Sequence, residues 1–202
     1  KLIQDNNGNY SYYVIMPSNL KNAHLAINTL PSDKVCILDQ TNDALSQYSA
    51  LYQNFEKDIY RNLAKVLLQI KKYEKLILIF NDKQPQGMLN GYNMFLDNYG
   101  ISGEVINSLN NKSLSKGKIY MVPDDKTLLH IIKNIKKNHL ILGKDIGIIS
   151  YNDTLLKEIV EGGITTITTD FNEMGEKLAK MVLNKEEYKI ENPNKLIIRN
   201  SI

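Results

Sequence analysis

The run Lys75–Phe80, KLILIF, is apolar at every position after its lysine, the pattern of a strand buried on both faces of a parallel sheet. Helical patterns flank it. Upstream, Phe55–Tyr73 sets Ile59, Leu63, Val66, Leu67 and Ile70 at spacings of three and four, which gives one apolar stripe. Downstream, Gly87–Tyr99 reads as a helix that stops at Gly100, a C-cap. The same alternation continues. GEVINSL and GKIYMV are strands around a polar Asn/Ser/Lys stretch, Thr127–Asn138 is helical, and DIGIISYN (Asp145–Asn152) is a further strand. After it come a helix, a β-branched strand ending at Asp170-Phe171, another helix and a last strand within KLIIRNSI. Strands separated by helices of this kind predict an α/β protein with mainly parallel sheets.

The N-terminal quarter reads differently. YSYYVIMP (Tyr10–Pro17) is a strand, Leu20–Leu30 has helical spacing, and VCILD (Val35–Asp39) is a strand that ends on a carboxylate. The polar stretch from Gln40 to Tyr52 is too long for a tight turn and is expected to be a loop crossing to a second lobe. Two strands are too few for a lobe with helices on both faces. A strand–helix–strand unit ahead of Lys1 is therefore expected, and the first lobe of this chain is expected to be incomplete.

Composition removes several function classes. At 202 residues with 43% apolar and 23% charged content, the chain can bury a sizeable core. No apolar run approaches the ~18 residues that span a bilayer. Net charge is only +3, and the short lysine clusters (Lys71, Lys72, Lys75; Lys133, Lys136, Lys137) sit at helix ends, where cations meet the negative end of the dipole. Neither a basic stripe with interleaved aromatics nor a zinc-finger spacing is present. The single cysteine, Cys36, falls in an apolar strand as a small buried residue, and one cysteine fits a reducing, cytoplasmic setting.

Catalytic patterns are missing too. His24, His130 and His139 have no cysteine or metal-ligand spacing near them, and the sequence has no nucleophile elbow or phosphate loop, so no cofactor or metal is expected. Gly87 and Gly91 read as packing glycines on a helix. Asp124-Asp125 is an adjacent pair whose side chains diverge, and Asp125 is expected to cap the following helix. Binding chemistry is better represented. Predicted strand ends carry Asp39, Asp124, Asn152 with Asp153, and Asp170 with Phe171. Carboxylates and amides can each engage vicinal hydroxyls, and an aromatic face can cover the apolar face of a sugar ring. Asp and Asn are equally ordinary as turn formers and N-caps.

The segments VPDDKTLLHIIKNIKKNHLILGKDIGIISYND and GGITTITTDFNEMG, with the closing KLIIRNSI, resemble the effector domain of the lac/galactose repressor family. That family shows G-x-D-I-x-V-[IV]-[GS]-[YF]-[DN]-D, then an L-T-T strand, a helix entered near [DE]-x-G, and a final L-x-x-R-x-S strand. Gly143, Asp145, Ile146, Tyr151, Asp153, Thr165, Thr166, Gly175, Leu196, Arg199 and Ser201 fall on that pattern, and the match runs from about Lys34 to Ile202. The resemblance implies a two-lobed periplasmic-binding-protein type 1 fold with a ligand in the interlobe cleft. One lobe would be residues 1–52 plus 170–188, the other 53–169 plus 189–202. It also implies a homodimeric regulator with a DNA-binding head absent from this chain, and the style of YSYYVIMP with short lysine-rich helices resembles sensors carrying a winged-helix head of the GntR type.

Ligand positions carry over one by one. Asp39 matches the aspartate ending the strand before the first crossing. Asp124 stands where the family usually has Asn and Asn152 where it usually has Asp, so amide and carboxylate are exchanged between two loops. Phe171 matches an aromatic or polar position near the third crossing. Met88 replaces an arginine that clamps ring oxygens, which favours a sugar or deoxy sugar with a methyl group there. The reading is a sugar-sensing domain without catalysis, in which ligand binding shifts the population of lobe arrangements. Two alternatives stay open: a periplasmic sugar-binding protein of a transporter, and an α/β enzyme acting on a sugar or nucleotide.

Overall fold

A computed structural model describes residues 1–109, 114–186 and 188–202. The chain divides into two compact units, Lys1–Asn54 with Asp170–Pro193, and Phe55–Thr169 with Asn194–Ile202, so it passes between them three times.

In the first unit a four-residue helix α1 (Leu2–Asp5) precedes β1 (Tyr13–Ile15), α2 (Ala23–Ile27), β2 (Val35–Asp39) and β3 (Ser49–Tyr52). The sheet order is β1-β2-β3-β9, with β9 (Lys189–Glu191) arriving late in sequence, and every pairing is parallel. Two expectations are corrected here. Gln40–Tyr52 is not wholly a crossing loop, because its last four residues form β3. Polar neighbours disguise that strand in sequence, and its burial comes from pairing with β2 on one side and β9 on the other. Residues 189–193, expected in the second lobe, belong to the first unit for the same reason: Ile190 pairs with Leu51. Helix α8 (Phe171–Asn184) lies against this sheet, and Met174 and Met181 bury with Cys36 and Leu51. Burial pushes the Cys36 thiol up from its ordinary value, which fits an inert core residue.

The second unit has a six-stranded sheet, built from β4 (Lys75–Ile79), β5 (Gly103–Ile106), β6 (Lys118–Val122), β7 (Ile146–Tyr151), β8 (Thr165–Thr169) and β10 (Asn194–Ile197). Its order is β10-β8-β7-β6-β4-β5, parallel throughout except for the antiparallel pair β10–β8. KLILIF and DIGIIS are buried on both faces, as their unbroken apolar patterns require. One face carries α3 (Phe55–Lys65) and α5 (Gln86–Tyr99), whose Ile59, Leu63, Tyr92 and Phe95 bury against Leu76, Leu78 and Ile149. The other carries α6 (Asp125–Lys137), with Leu128, Ile131, Ile132 and Ile135 inward. The predicted helix Phe55–Tyr73 is broken at Val66, where φ −112° and ψ 23° leave the helical region before the short α4 (Leu67–Ile70). There the Val66 amide bonds Leu63, one residue nearer than α-helical spacing, which lets the β-branched side chain bury completely. The polar stretch predicted between β5 and β6 contains residues 110–113, which lie outside the described residues.

Gly100 takes the left-handed conformation expected of a C-cap, at φ 62°. Tyr92, on α5, aims its hydroxyl under the sheet edge. It donates to the Leu76 carbonyl at 2.7 Å and accepts from the Glu104 amide at 3.0 Å, which ties α5 to β4 and β5. Burial drives its phenol up to about 12.

Candidate functional site

In the second unit, parallel strands β6 and β7 are neighbours, and polar residues follow each at its C-terminal end. That end is where open α/β sheets place ligands. After Val122 the chain runs through Pro123 to Asp124, the N-cap of α6. Its carboxylate accepts from the Thr127 amide at 2.8 Å and from the Thr127 hydroxyl at 2.9 Å. The cap was expected at Asp125 and is one residue earlier. Asp125 is the first helical residue, so its side chain turns elsewhere and forms an ion pair with Lys157 at 3.0 Å.

After Tyr151, Asn152 adopts a left-handed backbone at φ 59°, a conformation that Asn tolerates better than most side chains. Its amide donates to the Ile167 carbonyl at 2.8 Å. Its side-chain Oδ1 is buried and accepts no hydrogen bond from the described residues. A buried acceptor without a donor is uncommon and calls for an explanation.

The next residue, Asp153, is held by a closed network. Arg199 donates through Nη1 and Nη2 to its two oxygens at 2.7 and 2.8 Å, and the Thr166 hydroxyl adds a third bond at 2.9 Å. Hydrogen bonds from Arg199 hold the Asp153 carboxyl below the usual aspartate range, against the opposing effect of burial, and Asp153 in turn raises the guanidinium. Arg199 also reaches the Ile164 carbonyl at 2.9 Å. Ser201 donates to Ile148 at 2.6 Å and accepts from the Thr165 amide at 2.8 Å. Through these bonds the motif residues Asp153, Thr165, Thr166, Arg199 and Ser201 together clamp the closing segment of the chain to β7 and β8. Gly143 belongs to the same junction, since at φ 77° a Cβ there would stand 2.3 Å from the Asn200 carbonyl oxygen.

Lys157 carries no signal in the sequence. It lies on the short helix α7 (Leu155–Ile159), is 1% exposed, and donates to the Tyr151 and Asn152 carbonyls, each at 2.7 Å. Lysine in a short polar segment reads as a solvated residue, and only the fold reveals that its ammonium is buried.

A cavity of about 770 Å³ opens beside the ends of β4, β5 and β6, within the 300–1,000 Å³ usual for small-molecule sites, and Asn152 does not line it. Asn81 after β4, Asn107 and Ser108 after β5, Asp124, and the α6 flank Lys126, His130 and Lys133 line it, together with Leu109 and Leu129. Asn81, Asn107 and Lys126 are marked by no periodic or motif signal in the sequence, and the same holds for a binding role of His130.

Asp124 and Asn152 are thus brought to adjacent strand ends. Met88 is not. It is 2% exposed within the α3–α5 core cluster, in company with Phe55, Tyr92 and Tyr151. The expectation that it faces a ligand is corrected to a packing role, and with it goes the reason to favour a deoxy sugar. In the first unit, Asp39 ends β2 with φ 75°, accepts from the Gln53 side chain, and receives the Gln53 amide on its carbonyl at 3.0 Å. Phe171 opens α8 just after the cap Asp170 and is 52% exposed, available for contact. Among the described residues no group of three His, Cys, Asp or Glu is placed to hold a metal, and no helix is long and apolar enough to cross a membrane.

No curated protein sequence matches the chain. Solved structures with the same fold include a transcription regulator from Staphylococcus saprophyticus, at a TM-score of 0.72 and 21% identity over 99% of this chain and 81% of that one. The Escherichia coli transcriptional repressor AscG aligns at 0.73 and 16% identity, over 95% of this chain and 78% of its own. The lac repressor dimer bound to operator and the anti-inducer ONPF aligns at 0.70 and 16% identity, over 96% and 64%. Residues 71–202, which include the clamped motif and both strand-end loops, match the model of the periplasmic binding protein-like domain. The chain belongs to the periplasmic binding protein-like domain family.

Proposed function

We propose that this chain is the ligand-sensing domain of a bacterial transcriptional regulator, and that its effector is a small polyhydroxylated molecule such as a monosaccharide or a sugar phosphate. The observation that supports this most is the placement of Asp124 and Asn152 at the C-terminal ends of neighbouring parallel strands, with the Asn152 amide oxygen buried and unpaired among the described residues. A carboxylate and an amide at neighbouring strand ends suit vicinal hydroxyls, which both donate and accept. The reading is binding without turnover, in a cytoplasmic homodimer whose DNA contacts come from a head outside this chain.

Thermal unfolding against a panel of monosaccharides and sugar phosphates tests the proposal. A true ligand at ~100 times its Kd should add about 2.7 kcal/mol of stability. Asp124→Asn keeps a competent helix cap, since Asn and Asp cap equally well, but removes the carboxylate. It should abolish that ligand shift while leaving the unliganded midpoint within about 1 °C. An undiminished ligand shift in Asp124→Asn would remove Asp124 from the site.

A further inference from the structure

Among the described residues, Lys157 is the one lysine that ranks with the largest fully buried side chains. An ammonium has three protons and no acceptor. Here three acceptors meet it: the Tyr151 carbonyl at 2.7 Å, the Asn152 carbonyl at 2.7 Å and Asp125 Oδ1 at 3.0 Å. A buried charge survives only when it is paired and fully hydrogen-bonded, and this one is. Its partners come from two separate loops, the one after β7 and the first turn of α6. Each of those loops carries a residue of the proposed site, Asn152 in the first and Asp124 beside Asp125 in the second.

The consequences for Asn152 are specific. Its peptide groups are held from both sides, with the amide on Ile167 and the carbonyl on Lys157. A left-handed residue other than glycine persists only where its surroundings over-determine it. Lys157 supplies half of that determination. Through Asp125 it also fixes the first turn of α6, whose cap is Asp124.

We propose that Lys157 is a positioning residue that locks the Asp124 and Asn152 loops together, so that the second unit presents preformed contacts to its ligand. This rests on the sensor reading above, and it names the residue that sets that site's geometry. The ammonium touches no ligand. It acts by holding Asn152 at the one backbone conformation that aims its amide relative to Asp124, and preorganisation of this kind is expressed as affinity.

The test uses the whole chain in three forms: the parent, Lys157→Met, and a core control, Leu63→Ala, which lowers stability from the other side of the sheet. Two readouts are taken. Proton exchange of the Lys157 ammonium and of the Asn152 amide is followed by nuclear magnetic resonance without ligand. Affinity is then measured for whichever member of the monosaccharide and sugar-phosphate panel binds the parent. The expected result is a Lys157 ammonium in the parent that exchanges far more slowly than those of the exposed lysines. In Lys157→Met, the Asn152 amide should lose protection and affinity should fall by about tenfold or more, while Leu63→Ala binds as the parent does. Equal affinity losses in Lys157→Met and the control, or a rapidly exchanging ammonium in the parent, would overturn the proposal. If Lys157→Met does not fold, Asp125→Asn decides. It leaves the two carbonyl bonds in place and should weaken binding more than the control does, and parent-like binding would count against the lock. If nothing in the panel binds the parent, the sensor reading fails on its own, whereas slow exchange of the ammonium still establishes the locked loops.

Discussion

Gly91→Ala is expected to destabilise the second unit by about 3 kcal/mol, although helix propensity alone predicts a gain of about 1. The difference lies in what the added methyl meets. At Gly91, on α5, a Cβ would stand 2.3 Å from the Glu56 carbonyl oxygen and 3.0 Å from its carbon, all of it backbone of α3. Backbone inside a helix cannot rotate away, so α3 and α5 must separate and their shared cluster of Ile59, Met88, Tyr92 and Phe95 must loosen. Gly175, on α8, provides the opposite case. No atom lies within 4 Å of a Cβ there, and the residue is exposed within a helix, so Gly175→Ala should gain up to about 1 kcal/mol. Scanning calorimetry should record a fall of roughly 6–12 °C for the first and a small rise for the second. A neutral Gly91→Ala would mean that the two helices are not in the contact described.

Arg199→Met should cost about 3 kcal/mol at neutral pH. The guanidinium and the Asp153 carboxylate are 16% and 21% exposed, so water screens them little, and Met restores the side-chain bulk but none of the bonds. The Asp153 carboxylate then keeps the Thr166 bond alone, and the Ile164 carbonyl loses its donor. The pH dependence has a definite sign. Arg199 lowers the native Asp153 value, so the stabilisation is fully present above the unfolded aspartate value of about 3.9 and is lost as pH falls through the lower native one. The stability gap between parent and variant should therefore stay constant from about pH 8 down to about pH 5 and narrow below about pH 4, where the Asp153 part of it is lost. Urea titrations of both proteins across that range measure it, and a gap that widens in acid would contradict the assignment.

Fold class could be read because it is written in local patterns. KLILIF, DIGIIS and the stripes of α3 and α6 are each interpretable within ten residues or so, and the alternation of strands and helices needs nothing else. What could not be read depends on neighbours remote in sequence. SALY becomes β3 only because β9 arrives from residue 189 to cover its far side. Met88 matched a ligand position by family resemblance, yet its burial is decided by how α5 packs on α3. Asp124 and Asn152 were legible as strand-end polar groups, since a buried strand must stop where polarity returns. Lys157 was not, because its burial is set by two carbonyls and a carboxylate that only the folded loops bring together.

Calorimetric titration of the chain with monosaccharides and sugar phosphates, parent beside the exchanged variant Asp124→Asn/Asn152→Asp, decides whether these two strand ends bind a polyhydroxylated ligand. One ligand class is expected to bind the parent stoichiometrically, with the exchanged variant binding that class differently because donor and acceptor have traded loops. Titrations without heat across the whole panel, in a parent that unfolds cooperatively, would contradict it. So would a ligand that both proteins bind with the same affinity and enthalpy.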